Sequence, residues 1–339
     1  MRTSIRLVVA VAAAAAYGPA AYAQDMTTAT FAGTTIWVGG GVQFLSLPDI
    51  RFTEQNGRRQ KNSESDWLDF GGAAGGGIET AFGFWGGYRV TGSIKGFWAN
   101  VEDDNRKRCN GNCVVIDPAT GQGFTSSILS TKTDREADYW GGQAEVKFGG
   151  AAPVHTRPNL YRNDYFIVGA DVRGIDQDNR LHSSVGTNFT YKETLDTTYI
   201  GGYVGLGGEY SLAFLTGGGL YERLGLRTFI AARAGLYNAD TDYDGRFAAG
   251  GIAPTLSKSD DELAFIGTVS LETRKQIGMR TSLSLWTDYE YISSVPKMRY
   301  ADEDGRPTRL DDEGVFASRT MLRLNIGLGS QQLYSEPLK

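Results

Sequence analysis

Residues 262–274 read Glu-Leu-Ala-Phe-Ile-Gly-Thr-Val-Ser-Leu-Glu-Thr-Arg, and their alternation decides the fold class. Leu263, Phe265, Gly267, Val269 and Leu271 fall on one face of an extended chain, with Thr268, Ser270, Glu272 and Arg274 on the other. A pleated strand separates these two sets, whereas a helix scatters both around its surface. Residues 280–297 repeat the pattern: Leu283, Leu285, Tyr289 and Tyr291 oppose Ser282, Ser284, Asp288 and Glu290. The short gap at 275–279 suits a hairpin. Leu322, Leu324, Ile326 and Leu328, alternating with Arg319, Arg323 and Asn325, form a third such strand at 317–330.

Seven further segments alternate, near 34–46, 67–81, 84–101, 136–149, 164–176, 197–213 and 218–239. Ten strands result, joined in turn by short connections and by long hydrophilic ones at 47–66, 102–135, 177–196, 240–261 and 298–316. This asymmetry predicts an all-β fold, an antiparallel up-and-down transmembrane β-barrel with short periplasmic turns and long extracellular loops. Twelve strands is the alternative, with Phe124, Ile128 and Leu129 of segment 124–132 supplying part of an added hairpin. A secreted sandwich would also alternate, but with its polar set facing outward.

The N-terminus points to export. Arg2 and Arg6 precede an apolar run from Leu7 to Tyr17, then the small-residue site Ala21-Tyr22-Ala23, so residues 1–23 are expected to be a cleaved signal peptide. The barrel domain then occupies 24–339. No later stretch approaches the roughly 20 apolar residues of a spanning helix. Forty-five Gly, 17 Tyr, 16 Phe and 6 Trp suit close strand packing and interfacial aromatic girdles. A net charge of -5 argues against a nucleic-acid partner, whose binding face is usually basic. Cys109 and Cys113, in Cys-Asn-Gly-Asn-Cys, are expected to form a small loop disulfide in an oxidising compartment.

In this pattern the chain resembles Gram-negative outer-membrane β-barrel proteins, porin-like in general type. The resemblance implies a bacterial outer-membrane location, with membrane lipid and lipopolysaccharide as partners and small solutes as candidate cargo.

The same register predicts the side chains that line the bore. They are Arg89, Lys95, Glu145, Lys147, Asp171, Arg173, Glu209, Arg227, Arg233, Glu272, Arg274, Asp288, Glu290, Arg319 and Arg323, with Asp69 and Glu79 on the same face. Ten strands lie near the width at which side chains fill a barrel. The leading expectation is a narrow or gated pore for small solutes. The alternative is a plugged structural or adhesion barrel, its charges paired because unpaired buried ions cost several kcal/mol. Its extracellular loops would then bind a surface partner.

Chemistry is sparse. Asp240-Thr241-Asp242-Tyr243-Asp244-Gly245 matches the first half of a calcium loop, but Gly251 stands where the bidentate Glu belongs, so Asp240, Asp242 and Asp244 form only a weak calcium candidate. His155 and His182 are the only histidines, and they fall in connections expected on opposite sides of the membrane. An outer-membrane protease using Asp176 and His182, or a lipase, is a distant third reading, and neither a catalytic set nor a cofactor is expected.

Overall fold

The computed structural model describes residues 33–51, 53–60, 70–117, 121, 123–150, 154–157, 160–186, 188–210, 224–251, 253–300 and 308–328. The expected signal peptide, Asp69 and the acidic run at 302–304 lie outside them.

Thirteen strands form one sheet: β1 (Thr34–Leu45), β2 (Thr53–Gln55), β3 (Arg58–Gln60), β4 (Phe70–Trp85), β5 (Tyr88–Ile116), β6 (Gly123–Gly150), β7 (Val154–Arg157), β8 (Leu160–Val185), β9 (Phe189–Tyr210), β10 (Leu226–Ala249), β11 (Thr255–Gln276), β12 (Thr281–Arg299) and β13 (Arg309–Leu328). Ten of them pair antiparallel in chain order, and the ring closes where β1 meets β13, from Thr34↔Leu328 to Leu45↔Ala317. Closure leaves none of these ten strands at an open edge across the belt, which is what lets strands cross a bilayer. β2 and β3 form a hairpin that docks on β5, and β7 folds back on β8.

The alternation read from the sequence now has a direction. Val38, Val204, Leu206, Leu236, Leu263, Leu285 and Leu322 project outward and are exposed, while Glu145, Arg173, Asp288, Glu290 and Arg319 point inward and are buried. Aromatic rings mark both margins of the apolar zone. Phe84, Trp85 and Tyr88 stand exposed at the short-turn end, and Phe70, Tyr291 and Phe316 at the other, where the last two pack at 5.0 Å. An apolar belt with two aromatic margins matches a hydrocarbon slab between two interfaces. Val204, near the middle of the β9 belt, should therefore tolerate charge poorly. Val204→Arg is expected to lose about 2–4 kcal/mol in a urea titration from vesicles. Thr194→Arg, outward on the same strand but above the belt, should lose under about 0.5 kcal/mol. Equal losses would mean that the belt is not in lipid.

The structure corrects the expected strand boundaries. The first hairpin turns at Gly86-Gly87, not near residue 82. Both glycines have positive φ, 57° and 85°, as a two-residue turn of this hand requires. At the other end the expected loops are largely strand. Residues 102–116 and 123–135 extend β5 and β6 as a paired ladder, 177–185 and 189–196 do so for β8 and β9, and 240–249 and 255–261 for β10 and β11. Segment 124–132 thus continues β6 and does not build an added transmembrane hairpin. β5 has 29 residues and β6 has 28, while a tilted strand needs only about 9–11 to cross the bilayer. The rest forms a wall rising beyond the belt.

The disulfide Cys109–Cys113 is present, but within β5 and not in a loop. It spans a break in register between Asn110 and Cys113, where Gly111 adopts a φ of 92°. The bulge keeps one strand in phase with both β6 and the β2–β3 hairpin.

Candidate functional site in the barrel bore

Each inward side chain is aimed by strand parity, so the site is built from alternate residues of neighbouring strands. Beside the apolar belt they meet in layers.

One layer centres on Glu145 of β6. Its carboxylate lies 3.1 Å from Arg233 Nε and 3.5 Å from both Lys95 Nζ and Lys147 Nζ, and it accepts a hydrogen bond from Tyr203 Oη at 3.1 Å. Lys147 also reaches Glu79. One buried anion thus holds together cations from three strands, which offsets the desolvation of all four groups.

A second layer centres on Arg173 of β8. Nη2 donates to Asp171 at 2.7 Å, while Nη1 donates to Glu290 across the bore and to Tyr139 Oη at 3.1 Å. Tyr139 also donates to Glu290, which takes a further bond from Thr268 Oγ1 at 3.1 Å. Phe97 meets Tyr139 edge-on at 5.0 Å. β6, β8 and β12 are thereby tied across the bore.

A third set is an alternating stack of rings and guanidinium groups. Arg323 lies between Trp286, 3.3 Å away, and Trp37, 3.9 Å away; Arg319 lies 3.5 Å from Phe97 and 5.3 Å from Trp286. Arg319 also donates to Asp288 at 3.0 Å. Arg323 makes no ion pair among the described residues, so its charge rests on two indole faces, a favourable arrangement when desolvated. Glycine makes room for the stack: a Cβ on Gly77 would stand 2.7 Å from Trp37 Nε1.

The other sequence-predicted bore residues fall nearer the short-turn end. Glu209 pairs with Arg227 and Glu272 with Arg274 at 2.9 Å, while Arg89 is exposed. What sequence reasoning missed were the aromatics: Trp37, Phe97, Tyr139, Tyr203, Tyr237 and Trp286 point inward. Their signal was parity, because Tyr139 is in phase with Glu145, Tyr203 with Glu209, and Trp286 with Asp288.

Above the belt the interior becomes a hydrogen-bonded cluster around Glu193 of β9. Its carboxylate accepts from Tyr191 and Tyr300 at 2.7 Å, Tyr243 at 3.3 Å and Asn179 at 3.0 Å. Burial pushes the Glu193 carboxyl above the ordinary carboxylate range, against those hydrogen bonds. A cavity of about 10 Å³ beside it has room for a single water.

The calcium and protease candidates are not assembled as sites. Asp240, Asp242 and Asp244 lie on β10, not in a turn, and alternate along one outward face beside Asp196 of β9. In a strand such carboxylates form a line and do not wrap an ion, and no trio of candidate ligands gathers among the described residues. Burial and then Asp261 and Asp242 raise the Asp240 carboxyl. Asp176 and His182 stand six positions apart on β8, about 20 Å along the strand. Asp176 accepts from Trp140 Nε1 at 3.1 Å, and His182 Nδ1 lies 4.0 Å from Asp134 on the exposed outer face. His155 belongs to β7 at the opposite end of the barrel.

No protein-family model matches the chain, nor does any curated protein. Several solved structures align along most of its length. The outer-membrane protease OmpT of Escherichia coli aligns with a TM-score of 0.45 at 10% identity, covering 89% of this chain and 99% of that one. A FadL homologue of Pseudomonas aeruginosa aligns at 0.23 and 7%, covering 87% and 89%. The toluene transporter TbuX of Ralstonia pickettii aligns at 0.22 and 7%, covering 88% and 90%.

Proposed function

We propose that this protein is a sealed outer-membrane barrel whose activity lies in the strand-built wall above the apolar belt, where it binds a partner at the cell surface. In this reading the signal segment takes the chain through the periplasm. The short-turn end stays there, and the wall stands outside the cell among lipopolysaccharide.

The observation that carries the reading is the bore itself. Ion pairs and rings meet across it in successive layers, and Glu145, Arg173, Asp288, Glu290, Arg319, Tyr139, Tyr203 and Trp286 are all buried. An open pore keeps its charged lining in water, whereas here the charges are spent on one another. The plugged alternative is thus better supported than the narrow pore for small solutes. A non-catalytic role also accords with the separation of Asp176 from His182.

The test is single-channel recording of the refolded mature protein in a planar bilayer. Silence is expected from protein that a β-type spectrum shows to be folded. Stable conductance steps would overturn the sealed reading in favour of a pore.

A further inference from the structure

Four inward arginines use their guanidinium groups alike. Nε and Nη2 of an arginine donate in the same direction and form a fork, and in each of these four residues the fork closes on a carboxylate. Arg173 donates to Asp171 at 2.9 and 2.7 Å, Arg233 to Glu145 at 3.1 and 3.4 Å, and Arg274 to Glu272 at 3.1 and 2.9 Å, while Arg227 grips both oxygens of Glu209. Arg323 breaks the pattern. It is 6% exposed, and its Nε and Nη2 are buried without an acceptor among the described residues.

The residues around Arg323 do not supply the missing acceptor. Trp286 and Trp37 lie 3.3 and 3.9 Å from its guanidinium carbon, and an indole N–H only donates. Its cross-strand partner on β1 is Gly39, where a Cβ would stand 2.8 Å from Arg323 Cγ. Its partner on β12 is Ser284, whose hydroxyl accepts from Asn325 Nδ2 at 3.1 Å. The acids that act on it, Glu272 and Asp288, are bonded to Arg274 and Arg319, and those two arginines repel it. A buried charge left without a partner is costly.

We propose that Arg323 holds a small monovalent anion of chloride size inside the bore, gripped by Nε and Nη2 as the neighbouring forks grip carboxylates. Such an anion supplies the missing negative charge and asks for no acceptor in return. A water would offset no charge, and it would bring two hydrogens to a level where Ser284 is the one cross-strand side chain able to accept them. Asp288 Oδ1 and Gln43 Oε1 also lack a described partner, but both residues are in register with Arg319, four positions along β13, whose Nε and Nη1 lack acceptors as well. Water suits that level, where donors and acceptors are both present. A divalent anion is disfavoured at Arg323 because desolvation costs rise steeply with charge. The site does not depend on the surface-binding reading above.

Urea unfolding of the refolded full-length protein in phospholipid vesicles tests it, with chloride exchanged for the bulkier gluconate at fixed ionic strength. Near saturation, each tenfold rise in chloride is expected to multiply the folded-to-unfolded ratio by about ten, as one ligand bound only to the folded state requires. Arg323→Gln should abolish that dependence, and Arg323→Lys, which keeps the charge but not the fork, should weaken it. Lys192→Gln, on the outer face of the wall, should leave it unchanged. Crystals of the wild-type protein grown in bromide give a second reading that needs no variant: an anomalous peak is expected beside Arg323 Nε and Nη2. A chloride dependence equal in wild type and folded Arg323→Gln overturns the proposal. So does density beside the fork without anomalous signal, which would be water, or bromide bound only elsewhere. Conductance reports separately: a barrel that conducts and still binds bromide at Arg323 loses the sealed reading but keeps the anion site.

Discussion

Arg173→Met is expected to destabilise the folded barrel by about 3–5 kcal/mol, the cost of leaving buried carboxylates without their cation. Arg173 alone links Asp171 on its own strand to Glu290 on the far side of the bore, with Tyr139 between them. Its removal leaves two buried acids near each other with no base of equal reach. The loss should be read from the midpoint of urea unfolding in phospholipid vesicles. Arg173→Met combined with Asp171→Leu and Glu290→Leu should recover most of it, because removing a whole buried ionic group in favour of packed apolar side chains is often neutral or better. A single variant within about 1 kcal/mol of wild type would mean that water already reaches these acids. The bore would then be hydrated, and the sealed reading would lose its main support.

Trp286→Ala should cost a similar amount, about 3–5 kcal/mol, for a different reason. The indole packs with Ala73, Ala99 and Met321, and the guanidinium groups of Arg323 and Arg319 lie 3.3 and 5.3 Å from its ring. Truncation leaves a cavity, the main term in large-to-small core changes. It also removes aromatic stabilisation from Arg323, which has no ion pair among the described residues to fall back on. Trp286→Phe should retain much of both. The layers act in series, so Trp286→Ala alone is expected to stay silent in a planar bilayer while the Arg173 layer remains. Conductance steps from this variant would show that the ring and guanidinium stack is the whole seal. Unchanged stability would show that the stack is not formed.

How far the site was legible follows from how each residue is surrounded. Glu272 and Arg274 could be placed inward because Leu263 to Leu271 mark the other face as apolar, and period two carries that assignment along the strand. The same logic reached Arg173, Asp288 and Arg319. It missed Tyr139, Tyr203 and Trp286 because an aromatic residue suits either a lipid interface or a packed bore, and composition alone assigns it to the interface. It also missed the wall. In 102–116 and 123–135 the outer face of the strand meets water, so Glu102, Asp104, Arg106 and Arg108 sit where an apolar set would otherwise reveal the pleat. Both faces then read as loop. Asn56-Gly57, with φ values of 51° and 72°, was a legible hairpin signal inside the polar connection 47–66, and it turns β2 into β3.

The sequence by itself determined the fold class, the ten crossing strands and the inward face of charged residues such as Arg173, Asp288 and Arg319. All three follow from one alternation imposed by a solvent that tolerates no exposed backbone polar group. Only the tertiary structure decided that the bore is closed and that the polar connections rise as a wall. Pairing across a bore joins residues such as Arg173 and Glu290, 117 positions apart, and depends on barrel radius and strand stagger. No local pattern encodes those quantities.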